Sequence, residues 1–312
     1  MNVELDRNQI EEKYKNYINK KVERYVAQKW WGPIKGNEIR RWIKQFPEDS
    51  LVPYLLLDSL NIITTEQIEA SLRAILEQLR SNIFCENPNL SDEELYALWN
   101  NHMEKTLFIP AHTVRDSISS APIITRTLKK LIPNFESHTS VAEELCGDLM
   151  KATIENVYFV DDFIGTGRQM SGYLEHEFYC NSNCCTQTEK KSCSIRNLMS
   201  VRDNVKFNVI TVAQHNAGGN KLKRAHPQLN FLTANTLDDT YDLLSSTCSV
   251  YIDEKYLCDV QKAIAEIKKT YNVSNDYSLN LPLGFEHGFP NNALETYWWS
   301  QSNWQPLIGR SD

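Results

Sequence analysis

Apolar residues recur at helical spacing through the first hundred positions. Ile39, Trp42, Ile43 and Phe46 follow the i, i+3, i+4, i+7 pattern and predict one buried helix face. Pro47 lacks the amide hydrogen a helix interior needs, so it marks the end of that helix. Leu51 to Leu60 predicts a second short apolar element. Thr65 is placed to cap a third helix carrying Ile68, Leu72, Ile75, Leu76 and Leu79 along one side. Ser91 with Glu94 reads as a capping box for a helix through Leu95, Leu98, Trp99 and Met103. No strand pattern interrupts this part. After residue 105 the grammar alternates between strands and helices. Leu107 to Pro110, Val157 to Val160, Val205 to Gln214 and Leu229 to Thr233 read as buried strands. Helices are predicted from Asp116 to Lys130, over Val141 to Met150 behind a Ser140/Glu143 capping box, from the loop after Val160 to about Tyr179, from Leu237 to Ser246, and from Glu254 to Tyr271. The run AGGN after the third strand reads as a Gly-rich turn.

Strands separated by helices indicate a parallel α/β sheet. The chain therefore divides into a helical N-terminal module over residues 1–104 and an α/β domain over 105–312, with residues 180–204 as a Cys-rich insertion that fits neither pattern. The helical module is open to a winged-helix or helix-turn-helix-like arrangement and to a plain lid.

Composition narrows the class. The 312 residues include 7 Trp, 14 Tyr and 11 Phe, enough to fill a core and to exclude wholesale disorder. No apolar run approaches the ~20 residues that span a bilayer, and the first residues lack the apolar centre of a secretion signal. A soluble, cytoplasmic protein with no membrane contact is expected. The net charge of −7 is unevenly spread: residues 1–50 carry +3 and the remainder −10. That asymmetry leaves DNA contact by the N-terminal module open alongside an ordinary solvated surface.

The chemistry concentrates in VYFVDDFIGTGRQM, residues 157–170. A buried strand leads to two adjacent acids, Asp161 and Asp162, and then to a Gly165-Thr166-Gly167 loop that enters a helix at Arg168 and Gln169. Ligands of open α/β sheets bind beyond the carboxyl ends of strands. A Gly-Thr-Gly turn lets backbone amides converge on an anion, and the helix dipole favours negative charge there. The acids sit where the hydroxyls of an attached sugar would lie.

Four apolar residues, two acids, two apolar residues and a Thr-Gly loop resemble the phosphoribosyl-diphosphate (PRPP) motif of type I phosphoribosyltransferases. The tail carries a second resemblance, in Pro282-Leu283-Gly284-Phe285, Pro290-Asn291-Asn292, Trp298 and Asn303-Trp304-Gln305-Pro306-Leu307. These residues are similar to the PRTase-CE group of bacterial conflict systems. The resemblance implies a phosphoribosyltransferase-like sheet flanked by helices. It implies Asp161 and Asp162 as the catalytic pair on the ribose diol, with Gly165, Thr166, Gly167, Arg168 and Gln169 around the 5′-phosphate. It implies Mg²⁺ carried mainly by diphosphate and ribose oxygens. Leaving-group or base contacts fall on Arg115, Asp116 and Ser117, on His215, and on Asn291 and Asn292; a plain helix cap is the competing reading for Asp116 and the two asparagines, and a turn residue for His215. Gln169 stands where the motif usually has Thr or Ser, and Phe163 where a smaller residue is usual, which points away from ordinary base salvage. The implied function is a ribosyl-transferring or N-glycosidic nucleotide-cleaving effector of anti-phage defence. Its ligand is PRPP or a phosphorylated ribose nucleotide, and in a retron setting its partners are a reverse transcriptase and its DNA product. A nucleotide-sensing regulator without catalysis is the alternative.

Cys180, Cys184, Cys185 and Cys193 have the spacing C-x3-C-C-x7-C. Four thiolates can hold Zn²⁺, but no CxxC pair is present, and free thiols in an insertion are the competing reading.

Overall fold

The computed structural model describes residues 6–32, 34–111, 121–150, 153–179, 192–248, 252–273, 275, 277–300 and 303–308. The chain opens with helices α1 (Arg7–Ala27), α2 (Gly36–Ile43) and α3 (Val52–Ser59), then strand β1 (Asn61–Ile63) and helices α4 (Thr65–Cys85) and α5 (Asp92–Glu104). Strand β2 (Thr106–Pro110) precedes α6 (Ala121–Leu131) and α7 (Ala142–Leu149). Strand β3 (Asn156–Ile164) leads into α8 (Arg168–Glu175), β4 (Glu177–Tyr179), β5 (Ser192–Ser194) and α9 (Ile195–Val201). Then come β6 (Lys206–His215), α10 (Asn216–Ala225), β7 (Leu229–Leu237), α11 (Glu254–Thr270) and β8 (Leu283–Phe285). No described helix is long and apolar enough to cross a membrane.

The chain forms two compact units, Met1–Thr65 with Asp238–Asp312, and Glu66–Leu237. This grouping differs from a division at residue 104, because the first helices pack with the C-terminal stretch. In the first unit, Trp42, Leu56, Val260, Ile264 and Tyr297 share one buried core. Strand β1 pairs in parallel with β8, Asn61 opposite Leu283 and Ile63 opposite Phe285. The sequence pattern gave no sign of β1: three residues are too few for an alternation, and the partner lies far down the chain. The second unit is built on a parallel sheet of order β2-β3-β6-β7, with Val157 opposite both Leu107 and Phe207. The four strands expected from residues 107, 157, 205 and 229 onward are these four. Leu107, Ile109, Val157, Phe159, Phe207 and Val209 form one apolar face, covered by α7, α8, α9 and Leu222 of α10. Ile124 and Leu128 of α6, which packs on β2 and β3, are fully buried.

Several local expectations are corrected. Residues 237–246 are not a helix: β7 runs to Leu237 and a single 3-10 turn follows at Asp239–Tyr241. Asp238 accepts from the Thr240 amide at 3.0 Å and Asp242 from the Leu244 amide at 2.8 Å. Such side-chain bonds to nearby amides compete with a helix. AGGN is the first turn of α10 rather than a connecting loop. Ser140 does not cap α7, whose N-cap is Val141; its hydroxyl donates to Asp148 at 2.6 Å. Within 180–204, Ser192–Val201 belongs to the fold: β5 pairs antiparallel with β4 and α9 packs on α8. Helix α6 is described from Ala121, and residues 112–120 lie outside the described set.

Thr65 is the first residue of α4 rather than its cap. Its amide donates to Glu286 Oε2 at 2.7 Å. Hydrogen bonds from Thr65, side chain first and then backbone, hold the Glu286 carboxyl below its usual 4.5. A carboxyl with a lowered folded-state pKa stabilises fully above its unfolded value and loses that contribution as pH falls through the folded value. Glu286→Ala is therefore expected to cost about 1 kcal/mol, the usual worth of a helix cap. Urea titrations should find that cost at pH 7 and see it shrink as the pH drops below 4.5.

Candidate functional site

Strand β3 is buried along its whole length because it lies between β2 and β6 with helices on its apolar face. The strand continues through Ile164, so Asp161 and Asp162 lie within its last turn of pleat rather than beyond its end. They are 2% and 8% exposed. The Asp162 amide donates to Asp161 Oδ1 at 2.9 Å. The Asp161 charge, after burial and Glu143, helps push the buried Tyr173 phenol above the ordinary tyrosine range. Carboxylates this deep need polar partners or ligands to offset desolvation.

The loop after β3 is shaped by glycine. Gly167 has φ +73 and serves as the N-cap of α8 with no side chain to occupy the first-turn amides. A helix start whose N-cap carries no side chain suits an anion. Gly165 and Gly167 are buried, Thr166 is half-buried, and Arg168 and Gln169 are exposed on the first turn of α8. The second wall of the loop comes from α10. A Cβ on Gly218 would fall 1.9 Å from the Gly165 carbonyl oxygen and 2.8 Å from the Gly167 nitrogen. A Cβ on Gly167 would meet the Gly218 carbonyl at 2.9 Å. Two backbones thus touch where the starts of α8 and α10 approach each other. The sequence held a signal for this in its paired glycines, masked by reading them as a turn.

His215, the last residue of β6, is buried; its Nδ1 accepts the Ala217 amide at 3.3 Å and caps α10. Asn291 and Asn292 lie in the other unit. The Asn291 carbonyl accepts from Asn275 at 2.7 Å, and the buried Asn292 amide donates to the Tyr277 carbonyl at 2.5 Å. Arg115, Asp116 and Ser117 lie outside the described residues, as do Cys180, Cys184 and Cys185. Cys193 is a buried free thiol on β5, its Sγ 3.5 Å from the Ser194 carbonyl. Among the described residues no cluster of three or more His, Cys, Asp or Glu side chains is arranged to hold a metal ion. Thr211 on β6 was missed altogether: a threonine in an apolar strand carries no signal of its own. Its hydroxyl lies 3.1 Å from the Asp162 carbonyl.

No curated protein matches the chain. The PRTase-CE family profile matches residues 39–310, which takes in the acids, the glycine loop, α10 and the C-terminal stretch with β8. A profile of that extent, over a parallel sheet with this loop at its carboxyl edge, establishes that the chain belongs to the PRTase-CE family and carries a phosphoribosyltransferase-like domain.

Proposed function

We propose that residues 161–169 bind a 5′-phosphoribosyl group and that the chain is a ribosyl-transferring or N-glycosidic nucleotide-cleaving effector of a bacterial anti-phage defence system. The observation that carries this reading is the succession of two buried adjacent carboxylates, a backbone loop walled by glycine, and a helix start with glycine at its N-cap within one strand-loop-helix unit. Family membership supports the phosphoribosyl ligand.

Breaking the bond at ribose C1 builds positive charge on the sugar and negative charge on the leaving group. Asp161 and Asp162 would accept hydrogen bonds from the 2′- and 3′-hydroxyls and offset the charge on the ring. The amides at the start of α8 would hold the 5′-phosphate, and that fixation is itself a large part of the rate. Thr166 can donate to the same phosphate, and Arg168 adds positive charge beside it. The acids offer hard oxygen donors, the type that suits magnesium, and the ion, held mainly by diphosphate and ribose oxygens, would neutralise leaving-group charge. The reverse transcriptase and its DNA product remain the partners to test by co-expression.

The decisive experiment expresses the wild type and Asp161→Asn/Asp162→Asn alone in bacteria. The wild type is expected to arrest growth and deplete one nucleotide pool, and the double variant to do neither. Equal behaviour of the two, together with no binding of ribose 5-phosphate by the purified protein, would overturn the reading.

A further inference from the structure

The excess of positive charge in residues 1–50 has a defined place on the first unit. Helix α1 buries Ile18 and Val22 in the core of that unit. Residues three and four apart are neighbours on a helix face. Lys13, Tyr17, Lys20 and Arg24 therefore form one row on the outer side, and all four are exposed. The row spans about 16 Å at ~1.5 Å per residue.

The ion pairs of α1 use other residues. Arg7 meets Glu11 and Asp259, and Lys21 meets Asp58. Lys15 donates to the Asp49 carbonyl. Among the described residues Lys13, Lys20 and Arg24 have no acidic partner. Glu12 and Glu23 fall on the adjacent row with Asn16 and Asn19, so the cationic strip is narrow.

Two aromatic rings are interleaved with these cations. Tyr17 is 61% exposed and Trp30 48%. The turn that ends α1 brings Trp30 back onto the helix. Lys29 takes φ +57, in the left-handed region that side chains enter only at a cost. The Trp30 amide donates to the Tyr25 carbonyl at 2.8 Å. The indole then lies at the end of the row, its ring centre 5.6 Å from the Arg24 guanidinium. A single exposed aromatic needs no explanation. Two along one cationic row, one of them held by a strained turn, make a surface of rings between positive charges.

That alternation matches one class of partner. Single-stranded nucleic acid offers phosphates to the cations, and its bases stack on aromatic rings whatever their sequence. A membrane would need an apolar helix face, and that face of α1 is occupied by Ile18 and Val22 in the core. The PRTase-CE profile begins at residue 39, so the row lies outside the stretch shared with that family.

We propose that the outer row of α1, with Trp30, is a binding surface for single-stranded nucleic acid. Lys13, Lys20 and Arg24 meet phosphates, and Tyr17 and Trp30 stack on bases. The proposal stands apart from the phosphoribosyl reading, because no residue of the row belongs to the β3-loop-α8 unit.

Fluorescence anisotropy with a labelled oligothymidylate of about 15 nucleotides and a free 5′-hydroxyl tests it. The wild type should bind with a Kd of roughly 1–100 µM, the range of non-specific nucleic-acid binding. Its log affinity should fall against log salt with a slope near −2, from three phosphates at about 0.7 each. Lys13→Gln/Lys20→Gln/Arg24→Gln should remove that slope and most of the binding. Tyr17→Ala/Trp30→Ala should weaken binding at least about tenfold and keep the slope, since stacking releases no counterions. If Trp30→Ala disturbs the turn, Tyr17→Ala alone should still cost about fivefold. An oligouridylate of the same length runs alongside, and the tighter of the two identifies the sugar the surface prefers. No binding of either strand by the wild type overturns the proposal. So does unchanged binding in the glutamine or the alanine variants, or a duplex bound as tightly as the strand. Wild type that binds phosphatidylserine vesicles and neither strand assigns the row to a membrane instead. Asp161→Asn/Asp162→Asn should bind the strand like the wild type; lost binding there would place the strand at the sheet edge and overturn the assignment to α1.

Discussion

Trp42→Ala is expected to destabilise the first unit by about 3–5 kcal/mol, the range for removing a large buried aromatic. Trp42 is fully buried. Its ring stacks on Tyr297 at 5.9 Å and meets Phe46 edge-on at 4.9 Å. Its indole Nε1 donates to the Thr296 carbonyl at 2.7 Å. Trp304 donates to the same carbonyl at 3.0 Å, so that oxygen keeps one partner after the substitution. The dominant loss is therefore the cavity between α2 and the C-terminal stretch, not an orphaned acceptor. Trp42→Phe fills most of that space and should cost about 1–2 kcal/mol, the worth of one net hydrogen bond plus imperfect packing. Whole domains are stable by only about 5–15 kcal/mol, so the alanine variant loses a large share of its margin. Six of the seven tryptophans lie in this unit, so their emission reports mainly on its unfolding in urea. An alanine midpoint corresponding to a loss below about 1 kcal/mol would mean the ring is not a keystone of this core.

How much of this was legible beforehand depends on whether the signal was local. The buried strands announced themselves because Val157 to Val160 and Val205 to Gln214 are apolar runs between helical patterns, and β3 and β6 are where those runs lie. The acids and the Gly-Thr-Gly loop were readable because a phosphate-binding turn must be contiguous. What was not readable was non-local. The pairing of β1 with β8 joins segments from opposite ends of the chain, and the compact unit it belongs to interleaves them. The replacement of the α4 cap by Glu286 has the same origin. Thr211 looked like an ordinary strand residue because its bond to the Asp162 carbonyl joins strands far apart in the sequence. The segment from Leu237 to Ser246 misled in the other direction: a helix was expected where the Asp238 and Asp242 side chains bind nearby amides.

Gly218→Ala is the sharper test of the loop, because its neighbour provides an internal control. By intrinsic propensity alone, alanine should stabilise a helix over glycine by about 1 kcal/mol at either position. A Cβ at Gly218 and a Cβ at Gly219 would each meet an atom at 1.9 Å. The neighbours differ in kind. At Gly219 the atom is Nε2 of Gln214, the end of a flexible side chain that can swing aside. At Gly218 it is the carbonyl oxygen of Gly165, backed by the Gly165 carbon and the Gly167 nitrogen at 2.8 Å. Backbone there is tied to β3 on one side and to α8 on the other, so relief requires moving the whole loop by about 1 Å. Overpacking of that kind costs about 1–3 kcal/mol and outweighs the gain in propensity. A displacement of about 1 Å in a positioning element is also enough to cost about a hundredfold in function. Gly218→Ala should therefore lower the stability of the second unit and weaken binding of ribose 5-phosphate by about a hundredfold, whereas Gly219→Ala should leave both close to wild type. Thermal unfolding and calorimetry on the two variants read the contrast directly. Equal tolerance at both positions would mean that the loop yields freely and that its contact with α10 does not hold the phosphate cradle in shape.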